Sequence, residues 1–121
     1  IRFPYLYPDL ADRGASVITV SASWGAGPGK LEQWSLLARA RALDSGCFVA
    51  AAGQAYPGPE LAAKAPTGVG GSLVASPLGE VLASAGPDPQ LVLCDVDVAG
   101  VPAVRDTVGV LRNRFRLRTD S

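Results

Sequence analysis

The 121-residue chain contains no histidine and no methionine, and it has only two cysteines. Without histidine it cannot build a Ser-His-Asp triad, a Cys-His dyad or a histidine-ligated zinc or haem site from its own residues. Without methionine it is not expected to be an intact translation product, so we expect a region upstream of Ile1. Two cysteines in a chain of this length do not make a disulfide framework. Cys47 and Cys94 are expected to be buried, reduced thiols, which favours a cytoplasmic location.

The chain also lacks an excess of charge of either sign. Eleven basic residues balance eleven acidic ones, and charged residues make up only 18% of the sequence. Nucleic acids and anionic membrane surfaces both attract basic proteins, so we expect no nucleic-acid partner and no membrane partner. No apolar run approaches the roughly 20 residues that cross a bilayer. The low charge content instead favours burial of surface against another subunit or another part of the protein.

Strands and helices are predicted to alternate in the first half of the chain, and strands follow one another in the second. Residues 16–20 and 47–54 are apolar on both faces, which is typical of central strands covered on both sides. Residues 30–45 carry a long apolar stripe and predict the clearest helix. The order indicates an α/β fold with a mixed sheet. The remaining elements are predicted as helices at 8–13 and 101–111, a hairpin of strands at 72–75 and 80–84, and a strand at 91–97.

Three patterns could carry chemistry, and each also has a structural interpretation. The glycine-rich run Gly68–Ser72 could hold a phosphate, but a strand follows it and no lysine is close, which favours a tight entry into that strand. Asp95 and Asp97 share one strand face and could bind a metal or exchange protons. Asp97 directly precedes a helix, which favours a capping role. The arginine-rich segment 112–118 is expected to be solvated or to contact another subunit.

Short motifs, all in one order, resemble those of the carbon–nitrogen hydrolase (nitrilase) family. The opening Ile1-Arg2-Phe3-Pro4 is similar to the segment that follows the family's catalytic cysteine. Tyr5, Gly71 and Ser76 depart from the pattern, since they stand where the family usually has Glu, His and Asp. The later motifs cover nearly the whole chain: Val17 to Trp24, Trp34 with Arg39-Ala40-Arg41-Ala42, Cys47-Phe48-Val49, Ala52-Gly53-Gln54, Gly70-Gly71-Ser72 with Pro77 and Gly79, and Asp95-Val96-Asp97.

The resemblance implies part of an α-β-β-α sandwich that is incomplete without its upstream half. Residues 1–111 would form the C-terminal half of the hydrolase domain, and residues 112–121 a basic tail. The implied mechanism uses a cysteine thiolate against an amide or nitrile carbon, a glutamate that takes the thiol proton, and a lysine that holds the oxyanion. All three are expected upstream of Ile1, so we expect no catalytic residue in this chain and no activity from it alone. No cofactor and no metal is implied.

The resemblance also assigns one side of a substrate pocket to this chain. Arg2 would lie beside the nucleophile turn and support it through a salt bridge. The expected partners are a small non-peptide amide or nitrile, the protein's own N-terminal half, and further copies of itself in a homo-oligomer. Two alternatives stay open: a non-catalytic nitrilase-like scaffold or regulatory subunit, and a ligand-binding α/β module. The residues that align with the lining of the family's pocket are Ser21, Ala22, Ser23, Trp24 and Gln54.

Overall fold

A computed structural model describes residues 1–64 and 66–115 of the chain. Helices and strands alternate at first and a hairpin follows, which confirms the predicted α/β class. Within the described residues, no helix has the length and apolar character that crossing a membrane requires. The elements are α1 (Leu6–Asp12), β1 (Val17–Ala22), α2 (Lys30–Ser45), β2 (Phe48–Gly53), α3 (Pro59–Ala62), β3 (Leu73–Ala75), β4 (Val81–Ser84) and α4 (Val101–Val108), with a 3₁₀ turn at Val98–Gly100.

The four strands form one mixed sheet in the order β1-β2-β3-β4. β1 and β2 are parallel, with Ile18 opposite Val49, and α2 supplies the crossover that parallel neighbours need. β3 is antiparallel to both β2 and β4. In the turn between β3 and β4, the Ser76 hydroxyl accepts hydrogen bonds from the Leu78 and Glu80 N–H groups. This hairpin confirms the one predicted from the sequence.

Helix α2 covers one face of the sheet and forms the centre of the core. Its apolar stripe buries Trp34, Ala38 and Ala42 completely, in one cluster with Val49 of β2. The helix ends because Gly46 adopts a left-handed conformation (φ 62°), which costs glycine less than other residues. The Gly46 N–H then donates to the Ala42 carbonyl at 2.8 Å. The bounds of α2 agree with the predicted helix at residues 30–45.

The opposite face of the sheet is open in the described residues. Along β1, Ile18 is buried toward α2, whereas Val17 and Thr19 are exposed. Half of a sandwich is expected to expose one face of these strands, and β1 does so in the described residues. β1 was also expected to be central, but it lies at the edge of the described sheet. The physical reason is that α2 packs on only one side, so the apolar pattern on the other side has no covering layer here.

Residues 91–97, expected to be a strand, pair with no strand in the described part of the chain. Leu91 and Leu93 are 81% and 82% exposed. A strand exists only where a neighbour accepts its backbone hydrogen bonds, and none is present here. The strand prediction is wrong for this reason. The capping prediction for Asp97 is confirmed, because its carboxylate accepts a hydrogen bond from the Ala99 N–H at 3.0 Å.

The C-terminal part of the described chain folds back onto α1. Helix α4 ends at Gly109, which is left-handed (φ 65°), and so stops short of the predicted residue 111. The Arg114 guanidinium forms an ion pair with Asp12. This arginine of the predicted basic tail therefore contacts α1 of its own chain. Residues 116–121, the rest of that tail, lie outside the described residues.

Candidate functional site

The predicted pocket residues lie where the parallel strands β1 and β2 end. Parallel strands end at the same edge of a sheet, so the residues that follow them lie close together. The Gln54 N–H donates to the Ala22 carbonyl at 2.9 Å, and the Gln54 carbonyl accepts from the Gly70 N–H at 2.8 Å. The Trp24 carbonyl accepts from the Val69 N–H at 2.9 Å. A loop between α3 and β3 therefore joins the ends of both strands, and the fold brings Ala22, Trp24 and Gln54 together.

Two of the predicted pocket residues, Ser21 and Trp24, nevertheless line different cavities. Ser21 lines a cavity of about 380 Å³ on the open face of the sheet, together with Thr19. Trp24 and Arg2 line a second cavity of about 320 Å³. Side chains alternate between the two faces of a strand, so neighbouring residues at the end of β1 point in different directions. Ser23 is exposed in the connecting loop, and Ala22 is half-buried.

Two tryptophans connect the loops of the site to the core. The buried Trp34 donates its indole N–H to the Gly71 carbonyl at 2.9 Å. The Trp24 ring lies 6.1 Å from the Trp34 ring, centroid to centroid, at an angle of 37°. Trp24 also donates its indole N–H to the Lys30 carbonyl at 2.9 Å. The Trp24 ring is therefore held in one orientation at the beginning of α2.

Two cations lie close to the Trp24 ring. The Arg2 Cζ atom is 4.7 Å from the ring centroid, and the Lys30 Nζ atom is 5.9 Å from it. Both distances allow attraction between the cation and the electron-rich ring face. Arg2 was among the residues predicted from the sequence, whereas Lys30 was not. The sequence could have indicated Lys30, because this lysine lies in the first turn of a predicted helix, where the helix dipole disfavours a positive charge.

A buried arginine positions the beginning of the chain. Arg41 donates through Nε to the Ile1 carbonyl at 2.8 Å and through Nη1 to Asp44 at 2.6 Å. Its guanidinium also lies 5.7 Å from the centre of the Tyr7 ring. Burial raises the pKa of Tyr7 above its ordinary value, although the Arg41 charge acts in the opposite direction. Arg41 thus holds Ile1 against α2 and thereby fixes the position of the neighbouring residue, Arg2.

A pair of glycines offers a matched test of the close packing in the site. Gly25 and Gly68 form an isolated antiparallel bridge. A Cβ atom at Gly68 would lie 1.9 Å from the Gln54 carbonyl oxygen, whereas one at Gly25 would meet nothing within 4 Å. We expect Gly68→Ala to lower the free energy of unfolding by about 3 kcal/mol through this clash. Gly25→Ala should lower it by less than about 1 kcal/mol.

Urea denaturation of the protein that carries this chain and its upstream region, followed by tryptophan fluorescence, measures both glycine variants. Neither glycine has a positive φ, so the comparison isolates the available space from backbone strain. Equal losses for the two variants would contradict the close approach of Gly68 to the end of β2.

Comparison with known proteins identifies the family. The carbon–nitrogen hydrolase family matches residues 1–106. The chain belongs to this family. The chain is 66% identical to a hydrolase of Mycobacterium tuberculosis, with 94% of this chain and 42% of that protein covered. It is 35% identical to the deaminated glutathione amidase of Escherichia coli O157:H7, with 94% and 40% covered.

The fold of this carbon–nitrogen hydrolase chain also matches a solved structure. The crystal structure of the Caenorhabditis elegans NitFhit protein superposes with a TM-score of 0.79 at 29% identity, covering 93% of this chain and 26% of that one. These matches confirm the family and the nitrilase-like α/β fold predicted from the order of the motifs. The chain spans about two fifths of the length of the curated relatives it matches. The assignment of individual pocket residues stays a prediction.

Proposed function

We propose that this chain is the C-terminal half of an amidase that hydrolyses a small non-peptide amide through a cysteine thioester. The observation that carries the proposal is its likeness, over 94% of its length, to a protein named as an amidase. In this proposal the cysteine, the glutamate and the lysine of the reaction lie upstream of Ile1. By analogy with that relative, we propose an amide of the deaminated glutathione type as the substrate.

The reaction in this proposal has two steps. The thiolate attacks the amide carbon, the C–N bond breaks, and the amine leaves with a proton returned by the glutamate. Water then attacks the thioester, which releases a carboxylate and restores the thiol. No cofactor and no metal takes part.

The described residues would orient the reacting groups rather than react themselves. Arg41 holds Ile1 at 2.8 Å, directly after the segment where the nucleophile turn is expected. Trp24 and Gln54, at the ends of β1 and β2, would form one wall of the substrate pocket. Because the fully buried Trp34 lies behind this wall, the pocket residues would keep their positions during the reaction.

A homo-oligomer in the cytoplasm belongs to the same proposal. The outer surface of α1, α2 and the segment before α1 exposes several large apolar side chains, which supports contact with another subunit. The free thiols of Cys47 and Cys94 support a reducing compartment. The exposed apolar residues of this surface are Phe3, Tyr5, Leu6, Leu36 and Leu43.

The test is the activity of the protein that carries this chain together with its upstream region. We expect this protein to hydrolyse deaminated glutathione. Chromatography of the products detects the reaction. Alanine in place of the cysteine three residues before Ile1 should lower kcat by at least about 1,000-fold, since the nucleophile is lost. Cys94→Ala is the matched control and should keep kcat within about twofold.

Two other outcomes would contradict the proposed enzymatic function. A residue other than cysteine at the nucleophile position would rule out the thioester mechanism. A cysteine at that position without hydrolysis of any amide or nitrile would favour the non-catalytic scaffold or regulatory subunit. The 121-residue chain alone is expected to be inactive.

A further inference from the structure

The segment after α4 is folded onto the body of the protein. Leu111 packs against the hydrophobic core cluster, and the Asn113 N–H donates to the Gly109 carbonyl at 3.0 Å. The Arg114 Nε donates to the Leu111 carbonyl at 3.1 Å. Residues 109–114 therefore form a hydrogen-bonded turn that presents the Arg114 guanidinium to α1.

Arg114 meets the acidic side of α1. Its guanidinium pairs with two carboxylates, with Asp12 through Nη2 and with Asp9 through Nη1, the latter at 3.9 Å. The Arg114 side chain is 26% exposed, so solvent screens these contacts less than those of a fully exposed pair. A single surface ion pair contributes little to stability, whereas a cation shared by two carboxylates and a carbonyl forms a small network.

Helix α1 depends on this cation more than a longer helix would. It has seven residues, and a helix of that length is marginal by itself. Asp12 lies at its C-terminal end, where the free carbonyl groups carry partial negative charge and a carboxylate is unfavourable. The last turn of α1 contains no basic residue of its own. Arg114, 102 positions later in the chain, supplies the positive charge there.

A second arginine from the same part of the chain holds the connection between α1 and β1. The Arg105 Nη2 donates to the Ala15 carbonyl at 2.6 Å. Its stem packs against Gly46, where a Cβ atom would lie 2.9 Å from the Arg105 Cγ. The connection is therefore fixed at Ala15 by α4 and at Asp12 by the turn that follows α4.

The other end of α1 leads to the segment where the nucleophile turn is expected. The Leu6 N–H donates to the Phe3 carbonyl at 3.3 Å. The Tyr7 N–H donates to the Pro4 carbonyl, also at 3.3 Å. Residues 3–12 therefore form one hydrogen-bonded run, and a shift of α1 would be transmitted along it to the nucleophile turn.

We propose that Arg114 is a positioning residue for the reaction, because its ion pair with Asp12 fixes α1 and α1 fixes the nucleophile turn. Arg114 touches neither the substrate nor the predicted pocket. Small displacements of a reacting group are costly, since a shift of about 1 Å can lower the rate by about 100-fold. The inference rests on the proposed amidase function and adds to it a residue outside the substrate pocket.

The test removes the ion pair from either side, in the protein that carries this chain and its upstream region. With deaminated glutathione as the substrate, Arg114→Gln and Asp12→Asn should each lower kcat by about fivefold and leave KM within about twofold, since the pocket is unchanged. The double variant should lose no more than either single variant, because both changes remove the same pair. Losses that multiply in the double variant would overturn the pair as their cause.

Two further variants keep the test decisive if removal of the charge weakens folding. Arg112→Gln removes the same charge two positions away, where the guanidinium donates to the Asp106 carbonyl of its own segment, and should leave kcat within about twofold. Arg114→Lys keeps the charge and should retain at least about half of kcat. A loss in Arg114→Lys as large as that in Arg114→Gln would overturn the role of the charge.

Hydrogen exchange of α1 separates this inference from the amidase function, because it requires no turnover. Exchange of the α1 amides should become about fivefold faster in Arg114→Gln and stay unchanged in Arg112→Gln. Faster exchange in a protein that hydrolyses no amide would retain the contact and overturn the amidase. Unchanged exchange in Arg114→Gln, or faster exchange without a loss of kcat, would overturn the positioning role.

Discussion

The 121-residue chain, produced without any upstream region, is expected to aggregate or to unfold without a cooperative transition. The reason is the open face of the sheet, where Val17 and Thr19 are exposed and Thr19 lines a cavity of about 380 Å³. At about 25 cal/mol per Å², leaving even 400 Å² of apolar surface uncovered forfeits on the order of 10 kcal/mol. That is comparable to the whole stability of a typical domain, about 5–15 kcal/mol.

The measurement is sedimentation of the purified chain, combined with thermal unfolding followed by circular dichroism. Production together with the upstream region should restore a soluble, cooperatively unfolding protein. A sharp, reversible unfolding transition of the monomeric 121-residue chain would contradict the expectation.

A pair of matched double variants locates the cause of the aggregation. Leu91 and Leu93 lie in the segment without a partner strand, and Leu91 also lines the cavity on the open face. Replacing both with lysine should increase the soluble fraction of the isolated chain but destabilise the protein that contains the upstream region. Leu61 and Leu78 are also exposed but lie in α3 and in the hairpin turn. Lysine at those two positions should change neither property substantially.

Trp34→Ala should cause the second largest effect, a loss of about 3–5 kcal/mol in the free energy of unfolding. The side chain is 0% exposed at the centre of the core, so its removal leaves a cavity between α2 and the sheet. It also removes the hydrogen bond to the Gly71 carbonyl at 2.9 Å and the ring contact with Trp24. We therefore expect the loop at Gly71 to lose its anchor together with the core.

Two controls separate the contributions of Trp34. Trp34→Phe keeps most of the packing and leaves the Gly71 carbonyl without its donor, which should cost about 1–3 kcal/mol. Gln33→Ala on the same helix removes an exposed polar side chain and should cost less than about 0.5 kcal/mol. Urea denaturation of the protein with its upstream region measures all three. Equal losses for Trp34→Ala and Gln33→Ala would contradict the central position of Trp34.

The sequence predicted those structural elements that depend on residues close together in the chain. The apolar stripe of α2 and its end at Gly46 lie within one continuous segment, and so do the hairpin turn after β3 and the cap at Asp97. Each depends on neighbouring residues, through helical spacing, a left-handed glycine or a side chain that accepts from a nearby N–H. The order of short motifs also indicated the carbon–nitrogen hydrolase family, since several weak signals in one order are far more specific than any one of them.

The tertiary structure decided the features that depend on distant residues. Apolar residues on both faces of residues 16–20 indicated a covered strand, but the covering layer is not formed by this chain. Residues 91–97 have the composition of a strand without a neighbour to accept their hydrogen bonds. The site shows the same dependence. Arg2 and Lys30, from separate segments, both approach the Trp24 ring. Arg41 donates a hydrogen bond to a carbonyl 40 positions earlier in the chain.

The sequence by itself determined the bounds of α2, the hairpin turn after β3 and the cap at Asp97, together with the family. Which sheet face is open, and which cations share a cavity, was decided by packing alone. Helix and turn formation is governed by residues a few positions apart. Strand pairing and the convergence of side chains, by contrast, depend on contacts between segments that only the folded chain brings together.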